Sequence, residues 1–446
     1  MVYSNKRKLS IQHMLFLFFI FTITLNTEAA PRKLTVTGGK EVVQSIAIPA
    51  FEWMGNGNGP NVDIAYVLNS DIGRSGLLDP IPPSDFKSTP SFGGAVRFAT
   101  WRTIGADYLV LGRIKTFGAK GYSIEYELFD IYNGDTIISD TVEVESADYL
   151  RTACHLISDI IYENLLGRKG PFYTRIAYVG ITENFAQKID FKKQYQLYIA
   201  DYDGENRQPI LTSYSPIMSP VWSPDMKKVA YVSFEKRKSR IYVQNVETRQ
   251  RRQIMGFRGI NGSPSWSPQG DKLAIVLSKD GNPEIYIVDL HSNDMIRLTH
   301  SLGIDTEPVW TPDGRNIIFT SDRGGSPQIY SKPTKGGKAK RLTFSGNYNS
   351  NPAISPDGSL LTFVHRDSNR NYKIGLLNLH TESFKTLSHG PMDESPTFSP
   401  NGDIIIFSSK RKNRMVLKSV SRNGEAEKDL NLSGFMTQPD WGSYER

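Results

Sequence analysis

A single cysteine, Cys154, stands in 446 residues. One cysteine cannot form an intramolecular disulfide, so the fold must rest on a large core. Cys154 shares a helical stripe with Leu150, Ile157 and Ile161 and lies far from the N-terminus. It therefore reads as a buried thiol, not a lipid-attachment site. Long apolar runs are equally scarce. Met14–Leu25 is free of charge and follows Lys6, Arg7 and Lys8. It is short for a bilayer span, and Thr27-Glu-Ala29 ends in a small residue, so residues 1–29 are expected to be a cleaved secretory signal peptide. Removing that basic leader from a chain of net charge +7 still leaves a basic protein.

Catalytic signatures are missing too. There is no Gly-x-Ser-x-Gly elbow, no His-Glu-x-x-His and no phosphate-cradling Gly-Lys-Ser/Thr loop. The seven histidines are scattered, with no pair at metal-ligand spacing. Asp201-Tyr-Asp-Gly204 has the opening of a calcium loop but lacks the remaining ligands and the closing Glu, and reads as a turn. No enzyme activity, metal or cofactor is expected.

What is present is a repeat. Proline-anchored motifs fall at Pro220, Pro264, Pro308, Pro352, Pro396 and Pro439, spaced by 44 residues four times and 43 once. The versions are Ser219-Pro-Val-Trp-Ser-Pro-Asp225, Ser263-Pro-Ser-Trp-Ser-Pro-Gln-Gly270, Glu307-Pro-Val-Trp-Thr-Pro-Asp-Gly314, Asn351-Pro-Ala-Ile-Ser-Pro-Asp-Gly358 and Ser395-Pro-Thr-Phe-Ser-Pro-Asn-Gly402, with Gln438-Pro-Asp-Trp-Gly442 last. The Ser-Pro-Asp-Gly core fits a reverse turn: Pro presets φ, Ser bonds nearby backbone and Gly suits the exit. Trp222, Trp266, Trp310, Ile354 and Phe398 are placed to wedge between units. Strand-like runs follow each turn, such as Val229–Val232 and Ile241–Val243, and shorter ones such as Arg297–Thr299, Arg341–Thr343 and Lys385–Leu387 end the units. Four strands per unit at this period predict a six-bladed β-propeller rather than a parallel solenoid, whose coils are shorter. The ring should close on itself. Arg175–Val179, Gln196–Ile199 and Pro209–Thr212 give three strands before the first motif, and the last motif supplies the missing one. Closure of this kind removes exposed sheet edges.

Residues 30–167 have a different texture and predict an α/β domain. Ser45–Phe51 alternates like a strand, and Val62–Ile72 and Ala95–Ile104 have helical spacing. Tyr108–Lys115, Tyr122–Asp130 and Asp135–Val144 read as strands, the last two joined by an Asn133-Gly134 hairpin turn. Ser146 is placed to cap a helix running to Leu166, with Gly167 as its stop. Residues 168–171 form the linker to a propeller over 172–446. The basic stretches 236–240, 249–252 and 410–414 fall in inferred turns and read as solvated tips, and the export signal argues against nucleic acid.

The order of parts resembles a known family. A signal peptide, an α/β domain with Ile48-Pro-Ala-Phe-Glu-Trp53 and Gly105-Ala-Asp-Tyr-Leu-Val-Leu-Gly112, and six blades with Pro-x-Trp-Ser-Pro-Asp-Gly turns look like the TolB family of the Tol-Pal system. The resemblance covers essentially the whole mature chain. It implies a periplasmic, non-enzymatic adaptor of Gram-negative bacteria that is monomeric. It also implies binding of the peptidoglycan-associated lipoprotein Pal through the propeller and of TolA through the N-terminal segment. Such an adaptor supports outer-membrane integrity and invagination at cell division, and other outer-membrane proteins are admissible partners. Matched to the family's Pal-facing loops, the site residues are Ile260, Asn261, Gly262, Ser263, Thr306 and Glu307, with Asn351, Glu394 and Ser395 at corresponding positions in later blades. In segment 30–43, Leu34 and Val36 alternate as an edge-pairing strand would and are the expected TolA contacts. Family members tend to carry aspartates there, whereas this chain has Arg32, Lys33, Lys40 and Glu41. Two rivals share some of these features. A peptidase-associated propeller would need a catalytic domain after the last blade, and a module binding a cell-wall polymer would need no protein partner.

Overall fold

The computed structural model describes residues 43–87, 89–183, 193–430 and 432–444. The expected signal peptide and the expected TolA contacts Leu34 and Val36 lie outside the described residues. Two compact units emerge. One comprises the chain up to Gly73 and from Leu77 to Gly170, and the other comprises Arg74–Gly76 with Pro171 onward. No helix among the described residues is long and apolar enough to cross a membrane.

The first unit is built on a six-stranded mixed sheet. Its elements are β1 (Gln44–Ala47), β2 (Glu52–Trp53), α1 (Ile64–Arg74), β3 (Leu78–Pro80), α2 (Phe98–Arg102), β4 (Tyr108–Phe117), β5 (Gly121–Asp130), β6 (Asp135–Val144) and α3 (Leu150–Leu166). The sheet order is β3-β1-β4-β5-β6, with β2 beside β4; β1 lies parallel to β3 and β4. Ala47, Leu109, Leu111, Phe129 and Trp101 form a core cluster. Helix α1 buries Ile64, Val67, Leu68 and Ile72, three and four residues apart, and α3 buries Leu150, Cys154, Ile157 and Ile161 in the same way. Burial pushes the Cys154 thiol well above its ordinary pKa, which keeps it unreactive.

Local chemistry departs from the sequence reading in several places. The β5–β6 connection is a four-residue loop, not a two-residue Asn-Gly turn, because Asp130 pairs with Asp135. The Asp130 carboxylate accepts the backbone N–H groups of Tyr132 and Asn133, which organises the longer loop. Ser146 does not cap α3 through its side chain; a 3₁₀ turn at Ala147–Tyr149 intervenes. Gly167 does end α3, with φ of 69°. The first strand stops at Ala47, and the second expected helix contracts to Phe98–Arg102.

The second unit is a six-bladed β-propeller, each blade a four-stranded antiparallel sheet. From the innermost strand outward, blade 1 is Phe435–Trp441, Arg175–Glu183, Lys193–Asp201 and Gln208–Ser213. The C-terminal strand is thus the inner strand of the first blade, and the ring closes as expected. The inner strands of blades 2 to 6 are Ile217–Trp222, Asn261–Trp266, Asp305–Trp310, Asn349–Ile354 and Asp393–Phe398. The wedge residues pack against the preceding blade. Trp222 joins Ala177 and Val179 of blade 1, Trp310 joins Ala274 and Ile285 of blade 3, and Phe398 joins Ile374 of blade 5. The Trp266 and Trp310 indole N–H groups donate to the preceding inner strand, at Val221 O and Ser265 O. Outer strands begin earlier than the sequence suggested, at Met295–Arg297, Lys340–Arg341 and Phe384–Thr386. The following threonines turn inward instead: the Thr299 and Thr343 hydroxyls accept the N–H of Ile285 and Ile329.

Candidate protein-binding site on the propeller

Strand order fixes which residues share a face. Within a blade, successive strands run antiparallel, so the loop from the outer strand of one blade to the inner strand of the next always leaves on the same face. Four of these loops are built alike. The inner strand opens with a buried polar residue: Asn261, Asp305, Asn349 or Asp393, each 0–1% exposed. Each is an anchor. Asn261 Oδ1 accepts Phe257 N–H, and its amide donates to the Phe257 and Gly259 carbonyls. Asp305 accepts from the Ser321 hydroxyl and the Arg323 guanidinium, each at 2.6 Å. Asn349 donates to Gln328 and the Ser345 carbonyl and meets His365 Nδ1 at 2.8 Å. Burial lowers the His365 pKa, so the ring is neutral and its Nδ1–H donates to the Asn349 oxygen. Asp393 accepts from the Ser388 hydroxyl.

The residue just before each anchor points the other way. Ile260, Ile304, Tyr348 and Met392 recur at the 44-residue pitch, and Ile260, Ile304 and Met392 are 50%, 47% and 37% exposed. Leu302, Phe257 and Met218 add exposed apolar surface nearby in the chain. A pinned backbone carrying repeated exposed hydrophobes around one ring is what a protein partner can dock on with little ordering cost.

Inside this rim runs the central channel, about 580 Å³, walled by the six inner strands. Every inner strand skips register at its motif proline, for example between Gly262 and Ser265 and between Thr306 and Val309. The extra residue is a β-bulge, and the residue before proline takes a left-handed φ in all six blades: Ser219 50°, Ser263 44°, Glu307 54°, Asn351 53°, Ser395 54° and Gln438 53°. The bulge frees backbone N–H groups, and neighbouring blades capture them. Gln438 Oε1 accepts Ser219 N–H at 2.9 Å, and Glu307 Oε2 accepts both Asn351 N–H and the Thr320 hydroxyl at 2.7 Å.

Three carboxyl groups line this channel: Glu307, Glu394 and Asp440. Desolvation raises the pKa of each. It outweighs the hydrogen bonds from Thr320 and Asn351 to Glu307, from Thr437 to Glu394, and from Trp222 N–H to Asp440, and it lifts Asp440 to about 7.

The predicted site residues separate into two layers. Ser263, Glu307, Asn351, Glu394 and Ser395 line the channel. Ile260 is exposed on the rim loop, whereas Asn261 is its buried anchor. Gly262 and Thr306 sit on inner strands opposite Val276 and Thr320. A side chain on Gly262 would meet open space, with Ile260 Cγ2 nearest at 3.8 Å. Sequence reasoning missed Ile304, Tyr348, Met392 and Asp440. The first three carried a usable signal, since apolar residues at a fixed pitch beside a polar strand start have no reason to recur in solvated loops.

Residues 162–445 match the TolB beta propeller domain and residues 32–137 the TolB amino-terminal domain. The chain is 44% identical over 206 residues to the Tol-Pal system protein TolB of Nitrosococcus oceani, covering 46% of each chain. It is 41% identical over 229 residues to that of Thioalkalivibrio sulfidiphilus, covering 51% of each. The chain thus spans about half the length of the curated relatives it matches. Among solved structures, TolB from Acinetobacter baumannii superposes with a TM-score of 0.81 at 38% identity, covering 90% of this chain and 97% of that one.

Proposed function

The chain belongs to the TolB family, and from that premise we propose that it is a non-enzymatic periplasmic adaptor of the Tol-Pal system. In this reading the loop face of the propeller binds Pal, and segment 30–43 contacts TolA. The adaptor works as an exported monomer that supports outer-membrane integrity and invagination at division. One observation carries the reading: exposed apolar residues at 260, 304 and 392, each beside a buried anchor around the channel mouth. An enzyme would need converging reactive groups there. The channel carboxyls are instead occupied as acceptors for backbone N–H and hydroxyl groups.

The test is a calorimetric titration with the soluble domain of the same organism's Pal, run beside a Gly262→Trp, Thr306→Trp double variant. A Cβ at Gly262 meets open space, so the variant is expected to fold and fail to bind. Binding retained by the variant discards the site and keeps the role. No binding by either protein removes the adaptor reading and directs attention to cell-wall polymers. Deleting residues 30–43 should also change Pal affinity if the two partners are coupled through that segment; an unchanged affinity ends the coupling.

A further inference from the structure

Blade 5 breaks a packing rule that blades 1 to 4 obey. The third strand places Tyr198, Tyr242, Tyr286 and Tyr330 opposite Tyr178, Tyr231, Ile275 and Phe319 of the second strand. Three of these pairs are stacked rings, with centroids 5.3, 5.8 and 6.1 Å apart. In blade 5 the residue opposite Phe363 is Gly375. The ring that stacks on Phe363, at 5.8 Å, comes instead from Phe384 on the outer strand. A Cβ on Gly375 would lie 2.9 Å from Phe384 and 3.1 Å from Phe363, so glycine is what permits the exchange.

With Gly375 where blades 1 to 4 have that tyrosine, the groove between blades 4 and 5 stays open. A cavity of about 190 Å³ lies there, walled by Phe363, Leu377 and Phe384 of blade 5 and by Leu342 and Phe344 from the end of blade 4. Leu298, Leu387 and Leu430 of other blades, which also follow their outer strands, are 2–5% exposed, whereas Leu342 is only half-buried and Phe344 is 75% exposed. A cavity of about 150 Å³ holds a benzene ring, so this one takes a single aromatic side chain rather than a metabolite.

Its rim is charged. Lys340 and Arg341 stand on the blade 4 side and Glu382 on the other. From residue 332 to residue 341 the chain has five basic residues (Lys332, Lys335, Lys338, Lys340 and Arg341) and no acidic one. This wall of blade 4 is complementary to an anionic partner. We propose that the groove between blades 4 and 5 is a docking site for an acidic peptide segment of a partner protein, which inserts one aromatic side chain between Leu342 and the Phe363–Phe384 pair and sets its carboxylates against Lys340 and Arg341. The site is separate from the channel rim and does not depend on Pal recognition.

The probe is the blocked pentapeptide acetyl-Asp-Glu-Phe-Glu-Asp-amide, titrated into the purified protein and followed by calorimetry. Replacing its Phe by Ser should weaken binding at least about ten-fold, the effect of losing one buried ring. Raising ionic strength from about 0.05 to about 0.5 M should weaken binding as well, because the charges are exposed. A Gly375→Tyr, Phe384→Arg variant copies blade 2, where the Arg251 guanidinium lies 5.2 Å from the centre of the Tyr242 ring, and should abolish binding by filling the groove. If that variant fails to fold by circular dichroism, Lys338→Glu with Lys340→Glu changes only exposed positions and should lower affinity several-fold. No binding of the Phe peptide, equal binding of the Phe and Ser peptides, or full binding by a folded groove-filled or charge-reversed variant would each overturn the proposal.

Discussion

The two faces of the propeller solve the same connection problem in opposite ways. On one face, the turn after the inner strand of blades 2 to 6 closes on itself. The Ser223, Ser267, Thr311, Ser355 and Ser399 hydroxyls each accept the backbone N–H five residues on. Four of them also donate to the side chain two residues on, Asp225, Asp313, Asp357 or Asn401, while Ser267, followed by Gln269, uses Asp271. A turn whose polar groups are satisfied internally offers little to a partner. On the other face, four of the loops bury one polar anchor, differently bonded each time, and three of these leave an apolar residue exposed beside it. Repetition therefore marks what the fold needs, and the face where bonding varies from blade to blade is where recognition has room to evolve.

The wedge beneath both faces should matter most. Trp310→Ala removes an indole packed on Ala274 and Ile285 and breaks its bond to Ser265 O, and should cost about 3–5 kcal/mol by urea unfolding. A loss under about 1 kcal/mol would mean the blades do not depend on the wedge. Ser355→Ala comes next. It strands Leu360 N–H and takes one donor from the Asp357 carboxylate, which keeps its two bonds from Ser359, and should cost about 1–3 kcal/mol; under the proposed function Pal affinity should not change. A variant of this turn that lost Pal binding and kept its stability would reverse the assignment of the two faces.

Much of this was legible in the sequence because repetition amplifies weak signals. One Ser-Pro-Asp-Gly is a common turn, but a fixed pitch of 44 residues establishes blade number, closure and the wedge positions together. The rest was hidden for identifiable reasons. The bulge at each motif proline puts Ser, Glu, Asn and Gln at positive φ, where glycine would have announced it. The exchange of a tyrosine for Gly375 needs the register of strands two and three, which local pattern does not fix. Ser146 looked like a cap because its position was right, yet the intervening 3₁₀ turn carries the chain into α3 instead. At the candidate site, residue type distinguished Asn261 from Ile260 poorly: the polar one is buried and the apolar one is exposed, the reverse of the simple expectation.

The channel belongs to neither face and has its own pH signature. Burial raises the Asp440 pKa from 3.8 in the unfolded chain to about 7 in the fold. The native state then holds a proton the unfolded state has released. The stabilising effect is full below the unfolded value and is lost as pH rises through about 7. Asp440→Asn keeps an oxygen to accept Trp222 N–H, at 2.7 Å in the native protein, and cannot ionise. The variant should melt higher than the parent at pH 8 and no higher at pH 4. An equal offset at both values would mean that the Asp440 carboxyl ionises as readily in the fold as in the unfolded chain.

The smallest effect on stability is expected where the comparison is sharpest. Leu302 and Ile304 lie on one loop of the second face, the first fully exposed and the second about half exposed. Replacing both by Ser leaves the Asp305 anchor and its Ser321 and Arg323 partners in place. The folded state loses little buried area, so the unfolding free energy should stay within about 0.5 kcal/mol of the parent. If this face docks Pal, the same change removes two apolar contacts at the rim and should weaken the complex at least about ten-fold, since burying each side chain is worth roughly 1.5–3 kcal/mol. Stability lost together with affinity would show that the exposed residues support the loop rather than the partner. Affinity unchanged at full stability would move the docking surface off this loop, leaving the conserved pitch of Ile260, Ile304, Tyr348 and Met392 within the chain to be explained by some requirement of the fold itself.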